Sequence, residues 1–138
     1  EAVPIMKEKR WGHIINMTSI SVKQPIDGLI LSNTVRSGVI GFAKTLSNEL
    51  APFNVTVNNV CPGYTMTERV RKLAIDVAQK KGTTPEAIVK AWTATIPMGR
   101  LGTPEDFAAL VTFLASERSG YITGASIQID GGYYKGIM

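Results

Sequence analysis

Ser32 and Arg36 stand four residues apart in a stretch of helical periodicity, so one helix face presents both side chains. That face would carry a hydroxyl beside a permanent cation whose planar fork of donors suits hydroxyls or phosphates. An aliphatic hydroxyl is far harder to ionise than a phenol, so Ser32 alone is a poor proton relay. A second stretch able to meet a ligand is Pro62-Gly63-Tyr64-Thr65-Met66-Thr67, where the glycine lets the main chain approach that ligand closely. Its plainer account is a turn after a strand, since Pro-Gly is a common turn pair. Residues 66–90 hold six basic side chains (Arg69, Arg71, Lys72, Lys80, Lys81, Lys90) against three acids (Glu68, Asp76, Glu86). Such a segment attracts an anionic ligand or partner, or is a solvated helix face of mixed charge.

Several chemistries have no residues to run on. Cys61 is the one cysteine and His13 the one histidine, so neither an intrachain disulfide nor a Cys/His metal cluster is expected. No two glycines are spaced i, i+2, which excludes the Gly-rich dinucleotide fingerprint from this sequence, and no P-loop replaces it. No run approaches the roughly 18 apolar residues of a membrane span. No aromatic residues interleave the basic segment, which argues against nucleic-acid binding. The first ten residues do not read as a signal peptide, and with one cysteine a cytoplasmic setting is the expectation.

The elements that must position these groups follow from periodicity. His13-Ile14-Ile15-Asn16-Met17 suits a buried strand, and Thr18 to Gly28 reads as a loop. Val35, Val39, Phe42, Leu46 and Leu50 recur at three or four residues and predict an amphipathic helix over 29–51, ended by Pro52. The β-branched run 55–60 predicts a second strand. Two helical patterns occupy 66–95, with Thr84 as N-cap and Pro85 in the first turn of the second. Thr103-Pro104-Glu105-Asp106 repeats that start signal for a helix over 104–116, and 126–130 alternates into a third strand. Strands joined by helical crossovers pair in parallel, which gives an α/β layer structure. At 138 residues there is room for one domain. With only three strands, and Glu1 opening in what reads as the tail of a helix, the expectation is the C-terminal half of a larger fold.

Asn16-Met17-Thr18-Ser19, the long helix, and Asn58-Asn59-Val60-Cys61-Pro62-Gly63-Tyr64-Thr65-Met66-Thr67 resemble the second half of a short-chain dehydrogenase/reductase. Residues 96–106, Gly120-Tyr121-Ile122-Thr123-Gly124 and Asp130-Gly131-Gly132 extend the likeness over nearly the whole chain, closest in texture to 3-oxoacyl-[acyl-carrier-protein] reductases. The resemblance implies the C-terminal portion of a Rossmann-like doubly wound parallel sheet, NAD or NADP as cofactor, and reduction of a 3-oxoacyl or similar carbonyl. By resemblance Ser19 would hydrogen-bond the substrate oxygen. Pro62, Gly63, Thr65 and Thr67 would seat the nicotinamide, and 66–95 would cover the substrate. An acyl thioester substrate, an acidic carrier protein and assembly into a homo-oligomer are implied partners.

At the decisive position the sequence departs from the family. A tyrosine thirteen residues after the serine and a lysine four further on would be the acid–base pair, the cation lowering a phenol pKa of about 10. Here Ser32 and Arg36 stand in those places. Arg36 can still hold the ribose, whereas proton transfer by Ser32 is in question. Tyr64 and Lys23 are alternative proton donors, with the plainer readings that Tyr64 packs against a ligand and Lys23 is exposed. Ser19 has its own plainer reading as a loop serine capping backbone amides. Two functions stay open: a reductase with a rewired site, or a degenerate relative acting as a binding or scaffold subunit. Trp11 and Trp92 read as packing anchors, Trp92 lying where the family places its mobile covering helices.

Overall fold

In a computed structural model, which describes residues 1–137, the β-branched run Val55–Pro62 becomes the central strand β2. It lies between β1 (Gly12–Met17) and β3 (Ser126–Ile129), all three parallel, with Ile14 beside Val57 and Val60 beside Ile127. A central parallel strand is covered on both faces, so residues 55–61 are all buried although three are polar. Each of these polar side chains has a partner. Thr56 Oγ1 meets His13 Nδ1 at 2.8 Å. Asn59 accepts from Asn16 and donates to Ser126 Oγ, linking all three strands. Asn58 donates to Ile122 O at 2.7 Å and accepts from Ala125 N at 3.1 Å, which fixes the approach to β3.

The other elements are α1 (Ala2–Lys9), α2 (Ile30–Leu50), α3 (Glu68–Lys81), α4 (Pro85–Ala94) and α5 (Pro104–Leu114), with short 3₁₀ turns at Ile20–Val22, Ala51–Phe53 and Glu117–Ser119. Parallel neighbours need crossovers, supplied by α2 between β1 and β2 and by α3 to α5 between β2 and β3. The expected fold class, strand count and helices are present. β2 runs two residues past its expected end, because Pro62 still pairs beside Ile129 as the last residue of the strand.

One expectation is corrected. The apolar recurrence along α2 marks its core face only in its last turns: Leu50 is buried and Leu46 packs against the core, whereas Val35 and Phe42 are 66% and 64% exposed. Ala43 and Ser47, outside that recurrence, turn inward with Leu50, Ala43 and Leu50 packing with Val55 and Val57. Small side chains bring the helix close to the sheet layer, and Gly124 marks how close. With φ +70°, a Cβ there would lie 2.7 Å from Ser47 Oγ. Leu31, Val35 and Phe42 form a second, outward apolar face.

The segment 66–95 folds as a helical hairpin. Thr67 and Thr84 cap α3 and α4 through Val70 N and Ala87 N, and Gly82, at φ +63°, ends α3. Ala74, Ala78 and Ile88 form its own small core, with Val77, Val89 and Trp92 packed against it. α5 opens with a capping box between Thr103 and Asp106. Among the described residues no helix is long and apolar enough to cross a membrane.

Candidate active site

In an open parallel sheet the carboxyl ends of the strands face the ligand crevice. The chain leaves β1 through Thr18, whose N–H and hydroxyl both donate to Val60 O of β2, at 2.8 and 3.0 Å. This tie holds the ends of β1 and β2 side by side. Ser19 then opens the 3₁₀ turn, its Oγ accepting from Ser21 N at 3.1 Å. That is the capping role, and it leaves the Ser19 hydroxyl proton available to a further acceptor.

Arg36, one turn into α2 from Ser32, reaches back to the same place. Its Nη1 donates to Thr18 O at 2.6 Å and its Nε to Ser32 Oγ at 3.0 Å. Ser19, Ser32 and Arg36 therefore gather at the end of β1, with the half-buried cation bonded to the residue preceding Ser19. A charge-assisted bond to a main-chain carbonyl holds the guanidinium in one orientation, and its remaining N–H groups are still donors.

The second group sits on the adjoining strand. Gly63 N donates to Ile129 O at 3.0 Å, while Gly102 N donates to Tyr64 O and Met66 N to Gly102 O. The turn after β2 is thus pinned from two sides. Gly63 is needed for a reason other than the expected approach of a ligand: a Cβ there would lie 2.8 Å from Asp130 Cβ, so the close neighbour is the chain after β3. Thr65 is half-buried, and its hydroxyl has no hydrogen-bond partner among the described residues. Thr67 Oγ1 accepts from Val70 N at 3.3 Å as the cap of α3. No hydrogen bond joins side chains of the two groups among the described residues; the Thr18–Val60 tie connects them.

Tyr64, whose plainer reading is packing against a ligand, packs here against protein. It stacks on Trp92 (centroids 5.1 Å apart, planes 11° apart) and meets the edge of Tyr133 at 5.9 Å. Burial, with a smaller contribution from Tyr133, pushes its phenol above the usual range, making it a weaker acid. Lys23 is half-buried rather than exposed, its ammonium 5.8 Å from the Tyr134 ring centre. Cys61 is fully buried beneath Thr18, with Sγ 3.3 Å from Thr18 Oγ1, and burial raises its thiol pKa.

Two concavities flank these groups. One of about 610 Å³ lies between Leu29, at the entry to α2, and the Glu68–Asp76 face of α3. Another of about 450 Å³ is lined by Tyr64, Thr65, Phe107, Gln128 and Ile129, and not by Ser19, Ser32 or Arg36. Reasoning from sequence missed Thr18, whose carbonyl orients Arg36. It also missed Asn33, which ties the preceding loop to α2 through Ile26 O and leaves its buried Oδ1 without a partner. Ser21 Oγ, too, is buried and unpartnered. Main-chain acceptors and orphaned oxygens carry no signature in sequence.

The family described as enoyl-(acyl carrier protein) reductase matches residues 1–134. The chain belongs to the short-chain dehydrogenase/reductase family. Among sequence relatives, the 3-oxoacyl-[acyl-carrier-protein] reductase FabG of Aquifex aeolicus is 39% identical over 129 residues, 94% of this chain and 48% of that protein. The solved structure of YwfH, an NADPH-dependent reductase involved in bacilysin biosynthesis, superposes with a TM-score of 0.92 at 36% identity, covering 99% of this chain and 52% of that one. A short-chain dehydrogenase family protein of Francisella tularensis superposes at TM-score 0.85 and 30% identity, covering 88% of this chain and 50% of that one. The chain spans about half the length of the curated relatives it matches. For a short-chain dehydrogenase/reductase, the gathering of Ser19, Ser32 and Arg36 at one strand end is the main point of geometry, because a serine and an arginine hold the helix face where a tyrosine and a lysine were expected.

Proposed function

We propose that this chain supplies the nicotinamide- and substrate-facing half of an NAD(P)-dependent reductase acting on a 3-oxoacyl or similar carbonyl. The observation that carries the reading is the Arg36 guanidinium bonded to both Thr18 O and Ser32 Oγ, a fixed cation next to Ser19 at the crevice end of the sheet. The residues fit the cofactor. Arg36 has donors to spare for ribose hydroxyls, and the Thr65 hydroxyl is half-buried without a partner among the described residues, free to bond a carboxamide. The cofactor, when bound, supplies the hydride.

Ser19 donates its hydroxyl proton in a hydrogen bond to the substrate carbonyl oxygen, the Ser21 amide holding its Oγ in place. Arg36 stabilises negative charge developing near that oxygen and orients the Ser32 hydroxyl. Ser32 presents the O–H nearest this cation in the chain, and its weak acidity sets the difficulty of the proton step. The basic α3–α4 hairpin covers the substrate and favours anionic acyl thioesters, an acidic carrier protein among them. The outward apolar face of α2 at Leu31, Val35 and Phe42 supports a homo-oligomer. The setting in this reading is the cytoplasm.

A degenerate binding or scaffold subunit is the competing reading, favoured by the absence of a phenol at position 32. Turnover of a short 3-oxoacyl thioester with NADPH and with NADH, followed by loss of reduced-nicotinamide absorbance, separates the two. Measurable turnover by the native protein that falls or stays level in the Ser32→Tyr/Arg36→Lys double variant supports a rewired reductase. No turnover until the tyrosine and lysine are introduced supports degeneracy.

A further inference from the structure

The turn from Gly63 to Met66 is held by main-chain bonds to Ile129 and Gly102, but one side chain in it reaches outward. Tyr64 lies between the residues proposed to seat the nicotinamide, Gly63 and Thr65. Its ring stacks nearly parallel on Trp92, three residues from the C-terminal end of the 85–94 helix's cap, and takes the Tyr133 edge from the segment after β3. That segment is itself fastened to the stretch that follows α4: Gly131 O accepts from Met98 N at 3.1 Å, and a Cβ on Gly131 would lie 2.7 Å from Ile96 Cγ2. Asp130 holds the bend through Gly132 N and Tyr134 N. Three stretches far apart in sequence therefore meet on one tyrosine ring.

Resting on the nicotinamide reading above, we propose that Trp92 and Tyr133 are positioning residues. Through the Tyr64 ring they set the orientation of the Gly63–Thr65 turn, so that docking of α4 over the substrate and seating of the nicotinamide carboxamide are coupled. Two features favour coupling over simple packing. Trp92 belongs to the hairpin's own small core, so it cannot leave Tyr64 without moving α4. The Thr65 hydroxyl has no partner among the described residues to hold it, leaving its position to the turn. Neither aromatic touches the reacting atoms in this account.

The test uses the native protein with Trp92→Leu, which keeps an apolar side chain in the hairpin core and removes the stacking face, and Trp92→Phe, which restores a ring. NADPH and NADH affinity is read by calorimetry, and α3–α4 mobility by the rate of tryptic cleavage at Lys80 and Lys81. Loss of one aromatic stack corresponds to about a two- to tenfold change in an equilibrium. Trp92→Leu should weaken cofactor binding by that factor, raise KM for the thioester more than it lowers kcat, and speed cleavage, with Trp92→Phe returning all three toward the native values. Tyr133→Leu should act in the same direction with a smaller effect. Faster cleavage with cofactor affinity within twofold of native would overturn the positioning role and leave Trp92 a packing residue. If the native protein binds neither NADPH nor NADH, the nicotinamide reading fails first, and the positioning role falls with it.

Discussion

The Arg36 guanidinium donates to the main-chain oxygen of Thr18 across 2.6 Å, joining the start of α2 to the last residue before Ser19. One side chain thereby fixes three things together: the end of β1, the orientation of Ser32, and the place of a permanent positive charge. A lysine in the same position could supply the charge, but not two simultaneous bonds in one plane.

Arg36→Gln should lower kcat/KM by about a hundredfold, the scale for removing one preorganised donor from a charge-stabilising site. Arg36→Lys should recover part of the loss in kcat while leaving cofactor KM raised, because charge is restored and the fork is not. Steady-state kinetics with a 3-oxoacyl thioester check both; equal activity of native and Arg36→Gln would remove the cation from the mechanism.

Replacing Asn58 by Leu should destabilise the fold by about 1–3 kcal/mol, the cost of leaving a buried polar group unpaired. The leucine fills a fully buried position but orphans Ile122 O and Ala125 N, both of which this side chain satisfies. Urea unfolding measures the change, which should appear as a lower midpoint with the slope retained.

Gly124→Ala should also destabilise, by about 1–3 kcal/mol, because a non-glycine residue is strained at positive φ. Its Cβ would in addition lie 2.7 Å from Ser47 Oγ and 2.8 Å from Lys44 Nζ. Ser47→Gly in the same chain should relieve part of the loss, a coupling that a double-mutant cycle can read.

One well-placed carboxylate makes a small contribution to acid stability. Asp106 accepts from Arg100 at 2.6 and 3.2 Å and from Thr103 N, and the Arg100 hydrogen bonds foremost hold its carboxyl at about 2. A folded-state pKa below the unfolded one means the carboxylate's contribution is fully present above about pH 4 and is lost as pH falls toward 2. Asp106→Asn should flatten the pH dependence of Tm over that window and leave the slope above pH 5 unchanged. The pair is solvent-exposed, so the shift should be small and should shrink with added salt. Thr103→Ala, which removes the reciprocal cap, should cost about 1 kcal/mol at neutral pH.

Much of this protein was legible from residue order. β-branched runs bounded by turn residues located the strands, and Thr-Pro starts located α4 and α5, since these signals are local and depend on a few torsion angles. The family likeness rested on spacing, and so did the substitution of Ser32 and Arg36. The face of α2 was legible only at Leu46 and Leu50. A recurrence of three and four finds an apolar stripe, but Ala43 and Ser47 won the core through a close approach to the sheet that no hydropathy pattern encodes.

The chemistry divides in the same way. Sequence determined which groups are available: a serine for a tyrosine, an arginine for a lysine, a glycine after Pro62. Tertiary structure alone decided what each one touches. Arg36 turns to Thr18 O, Gly63 makes room for Asp130, and Tyr64 is shared by Trp92 and Tyr133, because parallel strands bring their carboxyl ends, and the segments that follow them, together from separate parts of the sequence. Main-chain carbonyls are present at every position of a chain, so only their arrangement in space makes some of them partners.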